Sequence, residues 1–183
     1  MPPPRPKRSL EDLNATLKHL DHEVWMVKRT AEFLFGNKAN PANETSAVIH
    51  NALLESSLIH ARNLVDFLYP ENSRDNDVVA YDFFGDSSAA YRKNREPQTK
   101  LLKMVPRRVN KEVAHLTYDR LGKAPEQKAW PAMKIAVEID ARVDDFKWML
   151  PARFAKTPTP EFTSTDQQPG PVTDVASKER SSG

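Results

Sequence analysis

The sequence predicts an all-α fold, an antiparallel bundle of four main helices. Three observations predict it. Apolar residues recur at alternating spacings of four and three over residues 13–34 and again over residues 47–68, which is the signature of helices packed along a seam. Two further apolar runs follow after a long gap. Proline and glycine stand at the ends of these runs, at Gly36, Pro41, Pro70, Pro106, Gly122 and Pro151.

The bulk numbers agree. A chain of 183 residues is long enough for one domain with a real core and short for two. With 39% hydrophobic and 28% charged residues it has the usage of an ordinary globular protein. No apolar run approaches the roughly 20 residues of a membrane span, and residues 1–8 form a Pro-rich basic arm with no apolar signal core behind them. A cytoplasmic protein with no membrane contact is expected. Cysteine is absent, which removes disulfides, thiolate nucleophiles and Cys-based zinc sites. The five glycines are scattered, so neither a phosphate-cradling loop nor a dinucleotide fingerprint is present, and no cofactor is expected.

The first helix begins after Ser9, which forms a loose capping box with Asp12. Its seam is Leu13, Leu17, Leu20, Val24, Val27, Ala31 and Leu34, and Gly36 ends it. The second helix spans about residues 43–69, with a seam of Ala47, Asn51, Leu54, Leu58, Ala61, Val65 and Leu68. Asn51 is the polar member of that seam, and Asn51, Glu55, Arg62 and Asp66 form a polar stripe beside it. Residues 72–98 have no clean helical period. They form a long irregular connection whose aromatic residues imply docking on the bundle. A short turn over residues 99–105 leads to Pro106 at a first helical position and a third helix over residues 107–121, with Val109, Val113, Leu116 and Arg120 inward. Arg120 therefore needs a carboxylate partner, with Glu55, Asp66 or Asp140 as candidates. The fourth helix starts near Glu126 or Pro131 and reaches Leu150, on a seam of Ala132, Ala136, Ile139, Val143, Phe146 and Leu150. The domain thus covers residues 9–150, and the Pro/Ser/Thr-rich residues 151–183 are expected to be a disordered tail.

Charge is concentrated in residues 92–111. There Arg92, Lys93, Arg95, Lys100, Lys103, Arg107, Arg108 and Lys111 face the single acid Glu96. Such a run either follows a nucleic-acid backbone, with Tyr91 able to stack a base, or is neutralised by Asp75, Asp77, Asp82 and Asp86. On a continuous helix Arg108 and His115 lie about 20° apart on the wheel and ~10 Å apart along the axis. An Arg that holds phosphate and a His that moves protons suit metal-free RNA cleavage, and a solvated charged face fits the same spacing. His60, Arg62 and Asn63 lie beside the polar stripe of the second helix. His19 and His22 sit one turn apart but have no third ligand at a fixed offset, so no metal site is expected.

The run L-L-E-S-S-L-I-H-A-R-N-L-V-D-F-L-Y on one helix and R-V-N-K-E-V-A-H-L on a later one resemble the HEPN superfamily of small all-helical domains. That family's signature is an Arg followed by a His, and the resemblance implies a role for Arg108 in holding the scissile phosphate. It likewise implies that His115 handles protons, that Asn110 orients the two, and that the site is composite across a homodimer. It implies an RNA-binding protein or metal-independent endoribonuclease of the kind found in toxin and defence systems. Arg92, Lys93, Arg95, Lys100, Lys103, Arg107 and Lys111 would then contact RNA. The alternative from the residues themselves is a non-catalytic helical module that works through a partner protein.

Overall fold

The computed structural model describes residues 6–36, 43–118, 121 and 124–154, all helical or irregular, with no strand among them. Helix α1 (Leu10–Gly36) is capped as expected. Ser9 Oγ accepts from the Asp12 amide at 3.0 Å and donates to the Asp12 carboxylate at 2.7 Å. Leu13, Leu17, Leu20, Val27 and Ala31 are buried, with Val24 and Leu34 packed at the margin. Helix α2 (Glu44–Leu68) starts from a capping box in which Asn43 Oδ1 accepts from the Ser46 amide at 2.9 Å and Ser46 Oγ accepts from the Asn43 amide at 3.1 Å.

The core-facing seam of α2 begins later than the spacing suggests. Leu58, Ala61, Leu64, Val65, Phe67 and Leu68 are buried and Leu54 is half-buried, whereas Asn51 and Glu55 are exposed. The third helical segment reaches α2 only as far as the level of Asn51 and Leu54 before it ends, so the first turns of α2 lack a cover there. Asn51 is thus an exposed edge residue rather than a polar member of a buried seam.

Residues 70–98 are more ordered than their sequence suggests. A 3₁₀ segment (Ala80–Ser87) leads into α3 (Ser88–Asn94). Phe83, with no exposed surface, drives the docking. Its ring meets those of Phe67, Phe146 and Phe154 at 6.1, 5.4 and 5.3 Å between centroids. Gly85 makes the kink that follows, at a φ of +51° where a side chain would be strained. Arg153 donates to the Phe83 carbonyl at 3.0 Å, and Phe154 is buried. The core therefore continues past Pro151 to Phe154, four residues beyond the expected end of the domain. Residues 155–183 lie outside the described residues.

Helix α4 (Lys100–Val109) is capped by Thr99, whose Oγ1 accepts from the Leu102 amide at 3.1 Å and donates to Glu138 at 2.6 Å. Pro106 lies inside this helix rather than at the start of the next. The buried stripe Leu102, Val105 and Val109 carries the helix through it. A single π turn (Asn110–Ala114) follows, and at His115 the backbone is extended, at φ −129° and ψ 144°. The expected helix over residues 107–121 is corrected accordingly. Beyond Val113 the described apolar side chains stand in solvent: Leu116 is 92% exposed and Tyr118 90%. Arg120 lies outside the described residues, and the expected partners are engaged elsewhere or exposed. Asp140 pairs with Lys28 at 2.7 Å, Asp66 with Arg62 at 3.3 Å, and Glu55 is exposed.

A short α5 (Pro125–Lys128) precedes α6 (Ala132–Met149). Ala132, Ala136, Ile139, Val143 and Phe146 are buried as their spacing predicts, joined by Ile135. Asp21 meets Lys147 at 2.5 Å while Lys28 meets Asp140, so α1 and α6 run antiparallel. Thr99 bonds Glu138 while Arg108 reaches the Ala129 carbonyl at 3.4 Å, so α4 and α6 also run antiparallel. Helix α2 packs against α1, α4 and α6. Asp21 is buried, and removing its ammonium partner would strand a charge in the core.

Replacing Phe83 by Ala is expected to remove about 3–5 kcal/mol from the unfolding free energy, measured by urea denaturation. A chain ended at Leu150 is expected to unfold at lower urea than one ended at Lys156, because it lacks the Phe154 ring.

Candidate nucleic-acid interface

The outward face of α4 is set by its own period. With Leu102, Val105 and Val109 turned into the core, Lys100, Lys103 and Arg107 at spacings of three and four fall on the opposite side, and all three are exposed. Among the described residues no carboxylate pairs with them. Two of the four acids expected as possible neutralisers, Asp77 and Asp82, are used locally. The Asp77 carboxylate accepts from the Arg74 amide at 2.6 Å and that of Asp82 from the Val79 amide at 3.3 Å, each closing a turn. Lys93 is exposed on α3. Arg92 and Arg95 serve the fold instead. Arg92 lies over the Tyr81 ring at 3.7 Å, and Arg95 lies over Tyr69 and donates to the Leu68 carbonyl. Lys111 sits on the π turn, half-buried, where its carbonyl accepts from Thr117 Oγ1 at 2.7 Å. Tyr91 is buried and stacked on Phe84 at 4.2 Å, so it is not available to stack a base, and burial pushes its hydroxyl up to about 12.

Lys103, Arg107 and Asn110 form one wall of a groove of about 650 Å³. Arg62, Asn63 and Asp66 of α2 form the facing wall, and residues 70–79 close one end. Asp66 has its carboxyl raised above the ordinary range, chiefly by burial. Arg62 opposes the rise, and Asp77 and Glu71 add to it. Arg62 Nε is buried and makes no hydrogen bond, since its approach to Asp66 is off-axis.

The three residues assigned to cleavage are not brought together. Arg108 is committed to the fold: it forms a two-pronged pair with Glu112 at 2.8 Å on each arm, donates to the Gln127 carbonyl at 3.0 Å, and lies over the Trp130 ring at 3.9 Å. The side chains of Arg108 and Glu112 are 19% and 10% exposed. Asn110 lines the groove, whereas Glu112 and Trp130, with which Arg108 pairs, line a separate cleft with Leu54 and Leu58. His115 lies past the helical segment on exposed extended backbone. Arg108 and His115 share one face only at a steady 3.6 residues per turn, which the π turn breaks.

His60 and Asn63, beside the polar stripe, belong to a polar cluster between α1 and α2 whose third member, Glu23, the helical spacing does not single out. His60 Nδ1 lies 2.9 Å from Glu23, and Asn63 Nδ2 donates to the same oxygen at 3.1 Å. Burial pushes the Glu23 carboxyl up, yet the His60 and Asn63 hydrogen bonds and the nearby imidazoles outweigh it and leave it below the ordinary range. Glu23 one residue after His22, facing His60 and Asn63 three residues apart on α2, was the available signal. His22 packs against Trp25 and His60 rings at 6.2 and 5.9 Å. No group of three His, Asp or Glu among the described residues is arranged to hold a metal.

Among the described residues no helix is long and apolar enough to cross a membrane. Fold and groove together define an all-helical protein with an open cationic face on its third long segment. Compared with protein-family models, curated proteins and solved structures, the chain finds no match.

Arg108→Ala is expected to cost about 3 kcal/mol by breaking its largely buried pair with Glu112, measured by thermal unfolding. The lowered carboxyl of Glu23 makes a contribution that is present above its unfolded value and lost as pH falls through the folded one. A pH series should therefore show a shallower acid-side loss of stability in Glu23→Gln than in the parent.

Proposed function

We propose that the protein binds RNA through the sugar–phosphate backbone, along the outward face of α4. The observation that carries this reading is the stripe of Lys100, Lys103 and Arg107, exposed and unpaired among the described residues, with Lys103 and Arg107 lining a groove large enough for a nucleotide. Three cations spaced along about 10 Å of helix match successive phosphates, and cations left without carboxylates gain most from displacing the counterions of RNA. The HEPN resemblance points the same way, and many proteins of that kind act on RNA.

Cleavage is the more demanding version of this function. It needs Arg108, Asn110 and His115 to converge, and Arg108 would first have to leave Glu112 and Trp130. Backbone binding needs no such rearrangement, so binding without cleavage is the reading preferred here. A non-catalytic module acting through a partner protein or a second copy draws support from a different observation, the exposure of Val48, Ile49, Leu116, Tyr118 and Leu121.

The test is fluorescence anisotropy of single-stranded RNA across a salt series. Three phosphate contacts predict a slope of log K against log salt near −2, lost together with most of the affinity in Lys100→Ala/Lys103→Ala/Arg107→Ala. Binding that ignores both salt and these substitutions would sink the proposal. In the same samples with chelator, intact RNA is the expected outcome. Cleavage abolished by His115→Ala would replace this reading with the metal-independent nuclease.

A further inference from the structure

The groove beside α4 carries more than the cations at its rim. Its α4 wall is cationic and amide-bearing, and its α2 wall presents a carboxylate, Asp66, whose side chain is 51% exposed. Asp66 has one partner among the described residues, the off-axis Arg62, and therefore has acceptor capacity left over. Phe67, Pro70, Val78 and Pro106 add apolar surface to the lining. A phosphate-binding rim, an apolar lining and a carboxylate with unused acceptor capacity are what a phosphorylated ligand with a flat, donor-bearing end requires.

We propose that this groove is a base pocket for guanine in single-stranded RNA, with the Asp66 carboxylate accepting from the guanine Watson–Crick edge while Lys103 and Arg107 hold the adjoining phosphate. The inference rests on the RNA-binding reading and adds base selection to it. The choice of base follows from donor counts. Guanine carries two adjacent donors, N1–H and the N2 amino group, at the spacing of the two oxygens of a carboxylate. Adenine and cytosine place one amino group beside an acceptor nitrogen, and uracil sets one N–H between two carbonyls, so each would put an acceptor against a carboxylate oxygen. The amide of Asn110 lies within the same groove and supplies a donor for the remaining carbonyl of guanine, while that of Asn63 is engaged by Glu23. Duplex RNA buries this edge in base pairs, so the pocket selects single strands.

The test uses the full chain and oligouridylates of about nine nucleotides carrying one central G, A, C or U. The G-containing strand is expected to bind roughly tenfold tighter than the others, the lower range for one good bidentate contact. In Asp66→Asn that preference should vanish while the salt slope stays unchanged. Asp66→Glu, which keeps the charge but displaces the carboxylate, should weaken the preference, and it decides the matter if the Asn variant does not fold. Equal binding of all four strands with a normal salt slope overturns the guanine pocket and leaves backbone binding standing. Failure of every strand to bind overturns both, and a G preference that survives both substitutions overturns the assignment to Asp66.

Discussion

The burial of Phe83 between α2 and α6 is the contact on which the rest depends. Its ring packs edge-on against Phe67 of α2 and Phe146 of α6 and meets Phe154 from the far end of the fold. That one side chain ties the long connection to both helices and holds residues 151–154 in place through the Arg153 bond to its carbonyl. Because the connection is anchored there, α3 turns back over the core through Tyr91, and Arg95 is drawn onto Tyr69 and the end of α2. The chain then arrives at Thr99 beside Glu138, and α4 starts where its apolar stripe can reach α2 and α6. The cationic face of α4 points outward as a consequence of where its apolar face was made to go.

Two kinds of cation follow from this arrangement. Arg92, Arg95 and Arg108 lie over aromatic rings, with Arg95 and Arg108 also bonded to carbonyls, and so stabilise loops that the hydrophobic effect alone would not specify. Lys100, Lys103 and Arg107 make no such contacts among the described residues and keep their charge for whatever approaches from outside. The division is positional first, since Arg107 stands with the two lysines on the outward face. Planar guanidinium groups suit stacking and forked hydrogen bonds, while lysine ammonium groups remain hydrated point charges that favour phosphate. The charge of residues 92–111, a single feature in composition, is thus split between architecture and surface.

The electrostatic pairs inside the bundle fix register rather than supply bulk stability. Asp21 with Lys147 and Lys28 with Asp140 align α1 against α6, and Glu23 with His60 and Asn63 aligns α1 against α2. Shifting either helix by a turn would leave the buried Asp21 without its partner, a cost that apolar contacts between Leu and Val side chains do not impose.

Much of this fold was written in local pattern. The seams of α1 and α6, the Ser9 and Asn43 starts and the stop at Pro70 depend on residues three or four apart, and helical periodicity reports such contacts directly. The candidate site was legible in part: the position and sign of Lys100, Lys103 and Arg107 came from composition, whereas their lack of carboxylate partners depended on how residues 70–98 fold. Tertiary structure alone decided the rest. It carried α4 through Pro106, because three buried side chains outweighed one missing hydrogen bond, and it ended the segment at a π turn, beyond which the described apolar side chains stand in solvent. That extra residue in the turn separated Arg108 from His115. Periodicity assumes a helix continues while its pattern does, but a helix continues only while a neighbour is there to bury its apolar face.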